Sequence, residues 1–115
     1  MRLIAVIALG AAVSGCSTVD PSPKLKAAND AIAAAKAAGA DSVPAANDLL
    51  TQANKYLSLA QNQIKDGDAA SAIRNLNIAA AAAGDAKVTA TEANQRARAD
   101  QLAAQIADLK SKLGK

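Results

Sequence analysis

The chain has 115 residues, enough for one small domain. Thirty-three are alanine and 51% are apolar, yet there is one tyrosine and no phenylalanine, tryptophan or histidine; the net charge is +3. One cysteine without histidine cannot build Cys/His zinc sites or Ser-His-Asp and Cys-His nucleophiles, aromatic platforms for single-stranded nucleic acid are missing, and the charge is too small and dispersed to imply a polyanion partner.

The first element is an apolar run, Leu3 to Val13, preceded by Arg2. It is too short to span a bilayer, which takes roughly 20 apolar residues, and it fits the central region of a secretory signal, about 7–15 residues long. The run ends in Val13-Ser14-Gly15-Cys16. This resembles the lipobox of bacterial lipoproteins: a branched apolar residue, two small residues that let the backbone enter a signal peptidase, then a cysteine whose thiol accepts diacylglycerol. The resemblance implies that residues 1–15 are removed, that Cys16 carries palmitate-type acyl chains, and that no thiol is left for a disulfide. Two or more chains hold a protein firmly, at about 0.8 kcal/mol per buried methylene. In the enterobacterial sorting rule an aspartate after the cysteine retains a lipoprotein in the inner membrane. Ser17 at that position therefore implies the outer membrane, facing the periplasm. Residues 16–23 form the lipidated start and a polar, proline-bearing tether.

Residues 24–115 read as an alanine-rich helical domain. Ser22 as a hydroxyl cap and Pro23 at the first helical position predict a helix to about Ala38, with Leu25, Ala28, Ile32 and Ala35 on one stripe. Gly39 ends it, and a loop to Val43 leads to Pro44, which opens a second helix. Leu49/Leu50, Ala53, Tyr56/Leu57, Ala60 and Ile64 give that helix an apolar stripe spaced by three and four. Gly67 stops it. Asp68 caps a third helix carrying Ala69, Ala72, Ile73, Leu76, Ala80 and Ala83, and the two-residue break predicts an antiparallel hairpin.

Gly84-Asp85 is a possible end of this helix. Interior glycine costs about 1 kcal/mol relative to alanine, but no proline or polar cluster follows, so one helix to about Leu113 is expected. Leu102, Ile106, Leu109 and Leu113, spaced four, three, four, form a coiled-coil-like seam. It either folds back on the other helices or projects. The fold class predicted is all-α: a three-helix antiparallel bundle with two short turns and a long C-terminal helix. Its core is thin, with about 18 Leu, Ile, Val or Tyr residues after Gly15 and otherwise alanine.

Candidate sites are few. Asp66 and Asp68 could approach one Ca²⁺, but the ligands of a calcium loop are spread over about twelve residues, and capping accounts for Asp68. Asparagines 29, 47, 54, 62, 75, 77 and 94 could line a glycan groove or be solvated helix faces. Arg96 and Arg98 read as a small basic patch, either a phosphate contact or, with Glu92 and Asp100 nearby, a charge-balanced surface. No catalytic residue, metal site or cofactor is expected.

From Leu25 to Ala86 the pattern resembles a family of small alanine-rich bacterial lipoproteins that share a domain of unknown function. The residues are Ala28, Ala31, Ala35 and Ala38, the Gly39-Ala40 turn, Pro44, Leu49, Ala53, Leu57, Ala60, Gly67-Asp68, Ala72, Leu76, Ala79 and Ala83. Some relatives are fused to an OmpA-like peptidoglycan-binding domain, which this sequence lacks. The Gly-Asp turn between alanine-spaced helices also looks like a single tetratricopeptide-type hairpin. A second resemblance, carried by Thr91 to Ala97, the seam and Lys115, is to the murein lipoproteins, helical rods joined in some cases to peptidoglycan through a C-terminal lysine. Pro44 and the two glycine turns depart from a continuous rod.

The expected function is that of a non-enzymatic, lipid-anchored envelope lipoprotein, structural or protein-binding. Its partners are the membrane through Cys16, an envelope protein or peptidoglycan, and a second copy through the C-terminal seam; nucleic acid is not among them. Attachment of Lys115 to peptidoglycan is one alternative, and a periplasmic ligand-binding protein is another.

Overall fold

A computed structural model describes residues 19–114. Cys16, the lipobox residues Val13, Ser14 and Gly15, Ser17 and Lys115 lie outside the described residues.

The architecture is all-α. Helix α1 spans Ser22–Ala37, a single 3-10 turn spans Ala40–Ser42, α2 spans Pro44–Lys65 and α3 spans Ala69–Leu113. There is no strand among the described residues. The three helices run up, down and up. Ala28 near the start of α1 shares a buried cluster with Ala60 late in α2 and with Ala72, Leu76 and Ala79 early in α3. Ile32 and Ala35 join Ala46, Leu50 and Ala53 of α2 and Ala82, Ala83, Ala86 and Ala90 of α3. Helix α1 is therefore antiparallel to α2 and parallel to α3.

One detail of the start differs from the sequence reading. Ser22 is already helical and its side chain caps nothing; Pro21 occupies the cap position. The carboxylate of Asp20 accepts the Ser22 N–H at 2.9 Å instead. Helix α1 thus begins one residue before the expected Pro23, and Ser22 is its first residue and not its cap. An ionised carboxylate is a stronger acceptor than a hydroxyl, so Asp20 takes the role expected of serine.

The other boundaries follow the predicted chemistry. Gly39 and Gly67 have positive φ, +87° and +82°, the left-handed conformation that glycine adopts without a Cβ penalty. At the end of α2, the Gly67 N–H donates to Ile64 O at 3.1 Å and the Asp68 N–H to Gln63 O at 2.8 Å. These paired bonds satisfy carbonyls that the helix leaves open and reverse the chain. Asp68 then accepts the Ser71 N–H at 3.1 Å and starts α3. Gly84 passes within α3 without a break.

The core is mostly alanine. Leu76 is the largest side chain that is fully buried among the described residues; Ile32 and Leu50 are the other buried large residues. Alanine on facing helices lets the backbones approach, since interaxial distance depends on the side chains at the contact. It adds little apolar area, at about 25 cal/mol per Å². No buried polar residue interrupts this core among the described residues.

Candidate interaction surface

Helix α3 outlasts its partners. Ala90 is the last fully buried residue, Ala93 is half-buried, and every residue from Asn94 to Gly114 is exposed. The C-terminal part of α3 is a free arm. The 45 residues of α3 extend about 68 Å at 1.5 Å per residue.

The arm carries the apolar seam. Leu102, Ile106, Leu109 and Leu113 are 58%, 53%, 57% and 85% exposed. Of the two arrangements left open by sequence, the projecting one is observed. At 100° per residue the seam lies roughly 140° around α3 from the buried row of Ala72, Ala79, Ala83 and Ala90. It could not have met α1 or α2 without a kink. Val88, 55% exposed, lies on the same side, two heptads before Leu102.

Arg96 and Arg98 do not form one basic patch. Residues two apart on a helix point to different sides. They flank the seam, as do Lys110 and Lys112 further along. Lys112 pairs with Asp108 at 3.1 Å, on the side away from the apolar row.

The remaining candidate sites dissolve into local structure. Asn29 and Asn54 donate to their own helix, to Leu25 O and Leu50 O, each at 3.0 Å. Asn75 donates to Gln63 Oε1 at 2.7 Å, tying α3 to α2 beside the turn. Asn94 donates to Ala38 O at 2.9 Å. No pocket is found among the described residues. No group of three or more metal-ligating side chains occurs there either, and Asp68 is occupied as a cap. The bonds to Ser71 hold the Asp68 carboxyl below its ordinary value, and those to Ser22 do the same for Asp20. Lys26 is raised by its bond to Asp30 at 2.7 Å.

No described helix is long and apolar enough to cross a membrane. No family model, curated protein or solved structure matches this chain.

Proposed function

We propose that the chain is a lipid-anchored envelope lipoprotein of the outer membrane, facing the periplasm, and that it works as a non-enzymatic structural or protein-binding module. The observation that carries this reading is the sequence Val13-Ser14-Gly15-Cys16 at the end of an 11-residue apolar run.

The geometry of the folded part supports it. The chain enters α1 at Ser22, at the end of the bundle where α3 begins, and α1 runs parallel to α3. The start of α1 and the tip of the arm near Leu113 therefore lie at opposite ends. Such a protein holds its seam tens of ångströms from the bilayer, by the helical rise. The experiment is Cys16→Ala with labelled palmitate. The wild-type chain should incorporate label and lose residues 1–15; the variant should remain an unlabelled precursor. Acylated mature protein from the variant would overturn the anchor.

One observation favours a second reading, in which Lys115 is joined to peptidoglycan: the residues leading to it form an exposed helix directed away from the anchored end. Two turns shorten the chain against it. An unbroken helix of about 100 residues would reach roughly 150 Å, against about 68 Å for α3. Boiling detergent should release all of the protein from purified sacculi. A resistant fraction that disappears when Lys115 is deleted would reverse this.

A further inference from the structure

We infer that the outer face of the α3 arm is a docking surface for one amphipathic helix of another protein, with acidic residues flanking its apolar stripe. This deepens the reading of the chain as a protein-binding module and rests on it, but not on the anchor.

The shape of the face selects a helix. With Leu102 and Leu109 at d positions, Ile106 and Leu113 fall at a, and Ala99 at the preceding a. All five lie within roughly 80° of arc. So narrow a stripe is the mark of a helix–helix seam, whereas a helix face packed on a globular core is broader, above about 100°. The arm also lacks the tryptophan and phenylalanine with which interfacial helices enter a headgroup layer. Of the three a positions only Ile106 carries the isoleucine that, with leucine at d, favours two-stranded pairing.

The charges select the partner. The e and g positions beside the seam hold Arg96, Lys110, Arg98 and Lys112, two on each side, separated by uncharged Ala103 and Gln105. None is acidic. Asp100 and Asp108 lie at b and c, away from the seam. A second copy therefore brings only neutral or cationic side chains to these four residues. A partner with glutamate or aspartate at its own e and g positions meets each with an opposite charge, the arrangement that sets partner choice in paired helices.

The probe is a monomeric peptide of about four heptads with leucine and isoleucine at a and d and glutamate at e and g. Its counterpart carries lysine at e and g. Both are titrated against the full chain, anchored or not, so failed acylation at Cys16 leaves the result readable. The acidic peptide should bind at least about tenfold more tightly than the basic one, and less tightly as salt rises. The double variant Leu102→Asn/Leu109→Asn should lose that binding while the melting midpoint of the bundle stays unchanged, since both side chains are exposed and lie beyond the core. Reversing the arm's charges, Arg96→Glu/Arg98→Glu/Lys110→Glu/Lys112→Glu, should exchange the preference. Equal affinity for the two peptides would overturn the proposal. So would self-association of the chain lost in the double asparagine variant, which would assign the seam to a second copy. Tight binding of the arm to phosphatidylglycerol vesicles but not to the acidic peptide would assign it to lipid.

Discussion

The side-chain amide of Asn94 donates to the backbone carbonyl of Ala38 at 2.9 Å, a bond between residues 56 apart in sequence. Ala38 closes α1, and its carbonyl has no partner within the helix. Asn94 directly follows Ala93, the last residue of α3 that is not exposed. The bond thus fixes where the arm leaves the bundle.

Replacing Asn94 by alanine removes the donor and leaves that carbonyl to water. Because the site is solvent-exposed, the loss should fall at the low end for a hydrogen bond, about 0.5–1 kcal/mol. Urea unfolding should show a lower midpoint with an unchanged slope. An unchanged midpoint would mean that the bond adds nothing to stability.

The glycines give a paired prediction. A Cβ added at Gly84 or at Gly67 meets no atom within 4 Å, so sterics with neighbours do not separate them. Backbone conformation does. Gly84 sits in the exposed interior of α3, where alanine is the better helix former, and Gly84→Ala should stabilise by about 0.5–1 kcal/mol. Gly67 has φ +82°, and Gly67→Ala should destabilise by roughly 1–2 kcal/mol through its left-handed conformation alone. Thermal melts of the two variants should move in opposite directions; shifts of the same sign would refute the conformational account.

These positions also mark what sequence could reveal. Gly39, Pro44, Gly67 and Asp68 carry their own backbone chemistry, so both turns and the capped start of α3 were legible. The stripe from Leu49 to Ile64 identified the inner face of α2. Ser22 misled because its cap was judged from residue type, while the helix starts one residue earlier, with Pro21 at the cap and Asp20 accepting the Ser22 N–H. The direction of the arm was hidden for a different reason. The seam from Leu102 and the alanine row from Ala72 each follow helical spacing, and only their phase on one continuous helix separates them. Phase becomes decisive once Gly84 is known to leave α3 unbroken. The link between Asn94 and Ala38 had no local signal at all, since it depends on how α1 packs along α3.

Acid should weaken the hairpin through Asp68. Its carboxyl is held below the ordinary value of 3.8 by the bonds to Ser71. A group with a depressed folded-state pKa contributes stability that is fully present above the unfolded value. That stability is lost as pH falls from the ordinary carboxylate range through the lower folded value. Asp20 contributes in the same direction through Ser22. Asp68→Asn should therefore flatten the fall of melting temperature in acid while leaving its pH dependence near neutrality unchanged. A variant whose melting temperature falls with acid as steeply as wild type would show that the cap is not the titrating element.

The free arm makes the last prediction. Residues beyond Asn94 have no tertiary contact to hold them, and isolated helices shorter than about 12–15 residues are marginal in water. The arm does not have to nucleate, because it continues a helix already fixed by Leu76, Ala83 and Ala90; it pays only for propagation. Its alanines, and the Asp108–Lys112 pair at i and i+4, favour that. The arm should therefore be helical on average and yet open from its C-terminal end without disturbing the bundle. Hydrogen exchange reads this directly. Amides of Leu76 to Ala90 should exchange only with global unfolding, while those from Leu102 to Leu113 should open at a cost of about 0–1 kcal/mol, with a gradient between. Uniform protection along all of α3 would contradict an uncovered arm and point to a partner already seated on it. Slow exchange that appears in the arm only when the acidic peptide is added would join this measurement to the docking surface, since a helix that must be held in place to persist is stabilised most where its seam is covered.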